Sequence, residues 1–343
     1  MANLDIIKVP KLKPKKEKRR IHLRWWEGLI LVLLGLFLVE VVYFYFVAAK
    51  VKDKVFQPKT SSAGLIADIG LSGNKALAKN AYKDYTTFLF LGIGGDGHDG
   101  GALTDSIQVV ALNNKTNELK IVSIPRDLYL KLDACGEGKI NQMYECGEVL
   151  WGSGGGGDFS KSIVNQVLNV PIDYYVQIDF TGFREFIDDL GGIDVKVDKA
   201  INDDLAGINV SPGLVHMDGT MALAYARTRS LDSDFDRSAR QQEIILAIRK
   251  KILSTNIYLN PVKLYKFFDI LANNLTTDLN AKSSFSYLRN LKNIKQIGTY
   301  VIDNRKDDLL YATTSDEGSY ILLPKDGNFS AVAAKVKKII LDK

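Results

Sequence analysis

The fold is indicated first by residues 87–124, which read TFLFLGIGGDGHDGGALTDSIQVVALNNKTNELKIVSI. Thr87–Leu91 is a short apolar run of strand type, and Ser106–Leu112 is a second one rich in valine and leucine. Asn113–Asn117 is a cluster of turn residues, after which Leu119–Ile124 predicts a third strand. Strand, turn and strand in succession predict a hairpin inside a mixed sheet.

Beyond this stretch, helical and strand patterns alternate along the chain. The succession predicts an α/β fold with a mixed central sheet flanked by helices. The predicted helices cover Lys161–Leu168 (capped by Asp158 or Ser160), Thr181–Leu190, the segment from Asp218-Gly219 to Tyr225, Ser238–Leu253, two stretches beyond about residue 260, and Ser330–Leu341; the predicted strands are Tyr174–Ile178, Ile193–Val197 and Thr299–Ile302.

A glycine run, Gly152–Gly157, has the G-x-x-x-x-G spacing of a phosphate-binding loop. Such a loop requires Lys-Ser or Lys-Thr directly afterwards, and this chain has Asp158-Phe159 there. A nucleoside triphosphatase is therefore excluded, and the run is predicted to be a flexible surface loop.

One long apolar segment lies near the N-terminus. Residues 28–49 are apolar except for Glu40 and, at about 1.5 Å per residue, are long enough to cross a hydrocarbon core of about 30 Å. A cleaved signal peptide is the alternative, but its apolar core is shorter and Tyr43–Ala49 is not a convincing small-residue cleavage site. We expect a retained transmembrane helix.

The distribution of charge orients that helix. Residues 1–27 carry nine Lys or Arg against three Asp or Glu, so their net charge is 9 − 3 = +6, and the total of +5 leaves 5 − 6 = −1 for the remainder. Positive flanks stay inside, which predicts a cytoplasmic tail over residues 1–27 and an exported chain after the helix. The predicted domains are this tail, the transmembrane helix 28–49, a juxtamembrane stalk 50–85 and an extracytoplasmic domain 86–343. A role in nucleic-acid binding is excluded, because the basic stretch is cytoplasmic and the exported part is slightly acidic.

The two cysteines, Cys135 and Cys146, have ten residues between them in the exported part. In an oxidising compartment they could form a disulfide, and free thiols are the alternative. Two thiols without neighbouring Cys or His partners make a poor zinc site.

Arginines at three places could bind phosphate oxygens. Arg126 follows a predicted strand, Arg227 and Arg229 lie two apart and share one side if the backbone is extended, and Arg237 and Gln241 lie four apart on one helix face. Each arginine alone also fits a surface salt bridge. If they converge, their guanidinium groups would suit a pyrophosphate.

Carboxylates accompany a glycine-rich loop. Asp96 and Asp99 lie within Gly92–Gly101, and Asp105 follows shortly afterwards. Carboxylate oxygens at a strand end suit Mg²⁺ shared with substrate phosphates, although Asp-Gly turns produce the same composition. His98 is expected to be a solvated loop residue.

Taken in order, several blocks resemble the LytR-CpsA-Psr family of cell-envelope proteins over about residues 88–253. The resemblance rests on the whole ordered set rather than on any single block. The blocks are Leu89–Gly92 with Thr104-Asp105-Ser106; Ser123–Asp127; Lys139-Ile140-Asn141; Val170–Tyr175; Leu190–Val195; Met217-Asp218-Gly219; Ala222–Arg229; and Asp234-Phe235 through Arg237 to Gln242.

The resemblance implies a membrane-anchored phosphotransferase with a three-layer α-β-α domain. Such an enzyme moves a glycopolymer from a polyprenyl-pyrophosphate carrier to a cell-wall hydroxyl, usually on peptidoglycan, and releases polyprenyl phosphate. By motif match Asp105 would bind Mg²⁺. Five side chains would hold the pyrophosphate, namely Arg126, Arg227, Arg229, Arg237 and Gln241. Of these, the three residues Arg126, Arg227 and Arg229 would also be catalytic.

The chain departs from the family pattern at two positions. The family has an aspartate where Gly94 lies, so Asp96 or Asp99 is expected to replace it as the second metal ligand. Leu103 replaces an arginine just before the Thr-Asp pair, which removes one phosphate contact. The general base is left open between Asp127 and Asp234, either of which could instead orient an arginine.

Two other functions remain compatible with the sequence. A polyprenyl-pyrophosphate phosphatase would use the same site with water as the acceptor. A non-catalytic lipid-binding regulator would need neither Asp105 nor the arginine set, so their presence argues against it. The lipid tail would occupy an apolar slot between sheet and helices.

Overall fold

The computed structural model describes residues 80–132, 134–152, 154–204, 206–228, 234–255 and 260–342. We number the elements in these ranges in chain order. The strands are β1 Tyr85–Ile93, β2 Thr104–Asn113, β3 Glu118–Ser123, β4 Tyr129–Leu132, β5 Gly136–Lys139, β6 Tyr174–Asp179, β7 Ile193–Val197, β8 Ile201–Asp203, β9 Ile208–Val210, β10 Gly213–Met217, β11 Thr276–Thr277, β12 Gln296–Val301, β13 Leu310–Thr314 and β14 Tyr320–Pro324. The helices are α1 Met143–Trp151, α2 Gly155–Leu168, α3 Phe180–Asp189, α4 Gly219–Arg227, α5 Asp234–Ser254, α6 Pro261–Asn274, α7 Ala281–Asn290 and α8 Ser330–Leu341.

A six-stranded sheet forms the centre of the fold, in the order β11-β6-β1-β2-β3-β12. The predicted hairpin is confirmed, because β1, β2 and β3 pair antiparallel in succession. β6 runs parallel to β1 and β12 parallel to β3, which makes the sheet mixed, as predicted. The two edge positions are filled by strands from the last quarter of the chain, so this tail completes the sheet.

Helices cover both faces of the sheet. On one face, Phe159 and Ile163 of α2 and Val336 of α8 pack with Leu89 and Val109. On the other face, residues such as Phe88 and Ile121 contact α5 and α7. Burial of both faces explains why the central strands are apolar almost throughout rather than alternating.

The prediction of a flexible glycine loop is wrong for Gly155, Gly156 and Gly157. These glycines form the first turn of α2, and a Cβ on Gly156 would lie 2.6 Å from the Tyr144 carbonyl oxygen. At Gly157 it would lie 2.3 Å from the Tyr175 ring. The run therefore permits close packing of α2 against α1 and the sheet, which sequence composition alone does not reveal.

A disulfide joins Cys135 to Cys146, with their Cα atoms 6.3 Å apart. Cys135 lies in the turn between β4 and β5, and Cys146 lies in α1. The bond therefore ties this hairpin to the helical layer. The hairpins β4–β5, β8–β9 and β13–β14 had no predicted counterpart.

The predicted transmembrane helix 28–49, the cytoplasmic tail 1–27 and most of the stalk 50–85 lie outside the described residues. Among the residues that are described, none of the helices has the length and apolar character needed to span a bilayer. The predicted domain boundaries therefore remain predictions.

Candidate active site

A cavity of about 620 Å³ lies between one face of the sheet and helices α3 to α6. Its lining divides into two regions of different chemistry. We call the polar region the head site: Asp105, Arg126, Asp179, Arg227, Arg237 and Gln241. We call the apolar region the slot: Phe90, Val176, Phe183, Ile245, Ile248, Phe267, Leu271 and Leu275.

A β-bulge presents Asp105 to the head site. In the β1–β2 pair, Gly92 lies opposite Ser106 but Ile93 lies opposite Thr104, so Asp105 is the extra residue between them. A bulge bends the strand and redirects the side chain of its extra residue. Asp105 consequently lines the cavity at the strand end where it was predicted.

The Lys139-Ile140-Asn141 block fixes the backbone on both sides of the head site. The Thr104 hydroxyl donates to the Asn141 carbonyl oxygen at 3.1 Å, and the Asn141 amide donates to the Arg126 carbonyl oxygen at 3.3 Å. Asn141 is buried. This block therefore positions the neighbours of both Asp105 and Arg126.

Arg126 and Asp105 form an ion pair inside the cavity, with 20% and 35% of their side chains exposed. Behind them, the buried Asp127 accepts a hydrogen bond from Lys139 at 2.7 Å and lies 3.8 Å from Arg126 Nε. Asp127 is not among the residues that line the cavity. Its position supports the interpretation that it orients Arg126 rather than acting as a base.

Helix α5 contributes Arg237 and Gln241, which both line the cavity as their spacing predicted. Arg237 is buried and donates to the Asp105 carbonyl oxygen at 3.3 Å. Gln241 donates to the Ala226 carbonyl oxygen at 3.4 Å. The helix is held to the sheet by Gln242, which donates to Ser123 Oγ and the Tyr300 carbonyl oxygen, both at 2.8 Å.

Arg227 lines the cavity, but its backbone is helical and not extended, because it is the last residue of α4. Its guanidinium carbon lies 4.4 Å from the centre of the Phe180 ring. This cation–π contact holds the Arg227 charge within the head site. Arg229 and the side chain of Asp234 lie outside the described residues.

Asp179 was missed by the sequence analysis. It ends β6, caps α3 by accepting from the Gly182 amide at 2.7 Å, and lines the cavity. A Cβ on Gly95 would lie 2.8 Å from its Cβ, so the glycine loop packs directly against it. A helix-capping aspartate after a predicted strand was the available signal.

The other predicted metal ligands lie apart from the cavity lining. Asp96 and Asp99 are exposed in the loop, and His98 is exposed with its ring 5.2 Å from that of Phe180. Across the described part of the chain, no three His, Cys, Asp or Glu residues form a group suited to a metal ion. The ligand roles of Asp96 and Asp99 therefore remain predictions.

Gln108, a residue of the cavity lining, has a buried amide oxygen that lacks a hydrogen-bond partner among the described residues. Gln108 is 1% exposed and lines the cavity, and its Oε1 accepts no hydrogen bond from the residues described. Its Nε2 donates to Ser106 Oγ at 3.4 Å. An unpaired buried acceptor is costly, so a donor that reached this oxygen would stabilise the site.

Beyond the slot lies a second apolar cavity of about 270 Å³. Six residues line both cavities, so the two spaces lie next to each other along the sheet. They are Phe90, Val176, Ile245, Phe267, Leu271 and Leu275. Arg249 is a charged residue in this second lining, and it donates to the carbonyl oxygens of Leu291 and Ile294 at 3.0 and 3.1 Å. The adjacent apolar cavities together offer buried apolar surface along one side of the sheet.

Charge also fixes the start of α5 near the head site. Burial alone would raise the pKa of Asp303, but hydrogen bonds from Arg305 lower that pKa below its ordinary value. Arg305 in turn lies 3.7 Å from Asp236 and 5.0 Å from the Phe235 ring. The first turn of α5, which precedes Arg237, is therefore anchored to the end of β12.

Comparison with known proteins places the chain among bacterial cell-wall proteins. Residues 40–337 match the model of the LytR_cpsA_psr family. A protein of Bacillus mycoides (strain KBAB4), named "Polyisoprenyl-teichoic acid--peptidoglycan teichoic acid transferase TagU", is 33% identical over 288 residues, covering 81% of this chain and 86% of that protein. The protein of the same name from Bacillus cereus (strain ZK / E33L) is 36% identical over 212 residues, covering 60% of this chain and 64% of that protein.

The fold is also similar to solved structures. The crystal structure of Bacillus subtilis TagV superposes with a TM-score of 0.60 at 28% identity, covering 75% of this chain and 98% of TagV. The Bacillus subtilis TagU structure superposes with a TM-score of 0.55 at 28% identity, covering 76% of this chain and 98% of TagU.

Proposed function

The chain belongs to the LytR_cpsA_psr family, and from that premise we propose that it attaches a glycopolymer to the cell wall. In this proposal the donor is a teichoic acid linked to a polyprenyl-pyrophosphate carrier, and the acceptor is a peptidoglycan hydroxyl. The observation that supports it is the union of head site and slot in one cavity. A pyrophosphate with a long apolar tail needs both chemistries side by side.

The reaction exchanges a phosphoanhydride bond for a phosphoester bond. The acceptor hydroxyl oxygen forms a bond to the phosphorus that carries the glycopolymer, and the bond from that phosphorus to the bridging oxygen breaks. Polyprenyl phosphate leaves with the bridging oxygen, and the hydroxyl proton passes to a base or to solvent. Negative charge accumulates on the transferred group and on the leaving phosphate, and fixed cations are suited to stabilise it.

The head-site cations would share this task. Arg126, Arg227 and Arg237 would hold the pyrophosphate oxygens, with Gln241 donating a further hydrogen bond. Arg229 keeps the same predicted role. The ion pair between Arg126 and Asp105 would reorganise when the donor arrives, because Arg126 then acquires phosphate partners.

Magnesium fits the residues of the head site. Mg²⁺ is usually held by one or two carboxylates together with substrate phosphates, and Asp105 lines the cavity beside the phosphate-binding arginines. Asp105 would supply one ligand, and the second would come from Asp179 or from the predicted Asp96 or Asp99. The ion would neutralise phosphate charge during transfer.

The predicted anchor 28–49 would hold the domain at the outer surface of the cytoplasmic membrane. The basic tail 1–27 would stay in the cytoplasm, and the catalytic domain would be extracytoplasmic. A lipid-linked donor diffuses in the membrane, so an anchored enzyme remains close to its substrate.

The proposal is tested with the full chain in detergent micelles, a short polyprenyl-pyrophosphate sugar and Mg²⁺. Release of polyprenyl phosphate is followed by mass spectrometry with and without a peptidoglycan oligomer, beside Arg126→Ala and Asp105→Ala. We expect acceptor-dependent release that both variants lose. Release that ignores the acceptor would indicate the phosphatase, and lipid binding without turnover would indicate the non-catalytic regulator.

A further inference from the structure

The segment from Arg249 to Lys295 carries an unusual concentration of positive charge. It holds nine Lys or Arg and two Asp, so its net charge is 9 − 2 = +7. The whole chain is +5 and residues 1–27 are +6, so all remaining residues together sum to 5 − 6 − 7 = −8. This basic segment includes α6 and α7, the helices that border the slot and the second cavity.

The basic side chains of α6 and α7 do not line those cavities. On α7, Lys282, Phe285, Ser286 and Arg289 are exposed and follow the i, i+3, i+4, i+7 spacing of one helix face. The opposite face of α7 places Leu288 against the apolar core. The outer face of α7 is thus cationic with an aromatic ring in its middle.

Helix α6 has the same division. Leu264 and Phe267 are buried, whereas Val262, Lys263 and Lys266 are exposed, with Val262 65% exposed. Phe285 on α7 is 37% exposed. Exposed apolar side chains among lysines and arginines are the composition of a surface that lies on a bilayer.

The charges of this face are not neutralised within the domain. Among the described residues, Lys263, Lys266, Lys282 and Arg289 form no ion pair with a carboxylate. Of the two aspartates of the segment, Asp278 is 8% exposed and paired with Lys161, whereas Asp269 is exposed on α6 and offsets one of the four positive charges. The face therefore keeps a net charge of 4 − 1 = +3 toward solvent.

We infer that the outer face of α6 and α7, defined by Val262, Lys263, Lys266, Lys282, Phe285 and Arg289, docks on the surface of an anionic lipid bilayer. The lysines and arginine would bind lipid phosphates, while Val262 and Phe285 would enter the headgroup region. Docking in this way would bring the apolar cavities close to the membrane from which a lipid tail has to enter. The role of this docking in substrate entry rests on the proposed function. The charge and exposure of the face do not depend on that function.

A polyanionic wall polymer is the other class of partner that such charge could attract. Two observations favour lipid. The face covers the apolar cavities and contributes none of the head-site residues, and two of its six members are exposed apolar side chains that a phosphate polymer would not need.

The test places a fluorescent probe on the proposed face of the full chain. Ser286→Cys is labelled with bimane in a chain whose two native cysteines form a disulfide, and the protein is reconstituted in nanodiscs that contain headgroup spin-labelled lipid. Ser319→Cys in the β13–β14 turn serves as the reference probe. We expect quenching at position 286 to be at least about threefold stronger in anionic than in zwitterionic discs and to fall in high salt.

Matched charge variants decide whether this face is responsible. Lys263→Glu, Lys266→Glu, Lys282→Glu and Arg289→Glu combined should abolish the anionic preference. The same number of reversals at other exposed lysines, Lys83, Lys199, Lys306 and Lys337, should leave it unchanged. Equal quenching in both lipids, or equal loss in both combined variants, would overturn the inference.

Two controls separate the remaining outcomes. One contradicting result is that polyglycerol phosphate binds in a way that depends on the four face residues while the quenching does not depend on lipid. That result would identify the partner as a polymer and overturn the inference. Turnover of the short donor in detergent does not require a bilayer. Turnover without docking would therefore refute this inference alone, and docking without turnover would refute the proposed function alone.

Discussion

The head site and the slot share one cavity but are built in opposite ways. The head site gathers side chains from β2, the loop after β3, the end of β6, α4 and α5, and hydrogen bonds and charges fix its members. The slot is formed by apolar residues of β1, β6, α3, α5 and α6, together with Leu275 directly after α6, and packing sets their positions. The comparison suggests that the head site determines the chemistry and the slot determines which donor enters.

The largest expected effect comes from removing one head-site cation. Arg126→Ala should lower kcat/KM for donor turnover by roughly 100- to 1,000-fold, because a fixed cation at developing phosphate charge is lost. Steady-state kinetics with a short polyprenyl-pyrophosphate sugar measure this change. Arg184→Ala, which removes an exposed arginine of α3, is the matched control and should stay within about twofold. Equal losses in both variants would mean that Arg126 has no special role.

A change in the slot should depend on the donor. Leu271→Trp places a large ring where the two apolar cavities meet, so a long-chain donor should lose roughly 100-fold in kcat/KM, because several isoprene groups no longer become buried. A short-chain donor should change little. Glu185→Trp on the exposed face of α3 controls for the added ring.

If Leu271→Trp impaired both donors equally, the slot would not be the site of the tail. Thermal unfolding of the variant is measured in parallel, because overpacking can cost about 1–3 kcal/mol by itself.

The stability that the ion pair of Asp303 and Arg305 contributes near the head site should decrease in acid. The pKa of Asp303 is lowered in the folded state, so this carboxylate adds stability above its unfolded pKa of about 3.9, and that stability is lost as pH falls through the folded value. Asp303→Asn should therefore cost about 2 kcal/mol at pH 7 and progressively less below pH of about 4. Urea unfolding across this range measures the difference.

The exposed Asp326→Asn is the control for Asp303→Asn and should be nearly neutral at every pH. A cost of Asp303→Asn that did not decrease in acid would show that the ion pair with Arg305 is not its origin.

The smallest predicted effect identifies the second magnesium ligand. Asp179→Asn preserves the helix cap, since Asn caps as well as Asp, but weakens a metal ligand. We expect the Mg²⁺ concentration for half-maximal turnover to rise about tenfold. Asp96→Asn and Asp99→Asn are measured beside it. A rise confined to one of these two variants would mean that the second magnesium ligand lies in the glycine loop.

The sequence predicted the head site better than the slot, for a physical reason. Phosphate chemistry needs particular residues next to strand ends and helix starts, so Asp105, Arg126, Arg237 and Gln241 stood out, and the structure brings all four to one cavity. A slot needs only apolar volume, and residues such as Leu271 resemble any core residue in sequence. The sequence indicated that apolar helices exist but not which of their residues face the cavity.

Local geometry accounts for the other differences. The glycines at 155–157 allow helices to approach closely, a contact that composition does not distinguish from flexibility. Asp179 was missed because the same carboxylate caps a helix, which is a sufficient structural reason for an aspartate there. Arg227 belongs to a helix because the helical pattern extended two residues beyond its predicted end.

We expect one donor molecule to occupy the head site and the slot together. The most direct test uses a polyprenyl-pyrophosphate sugar with a photoreactive group on its terminal isoprene, cross-linked to the full chain and mapped by peptide mass spectrometry. We expect labelling of peptides that contain Phe267–Leu275 or Ile244–Ile252. Leu271→Trp should prevent this labelling, and unlabelled donor should compete with it. Labelling confined to other surfaces, unaffected by Leu271→Trp, would contradict it.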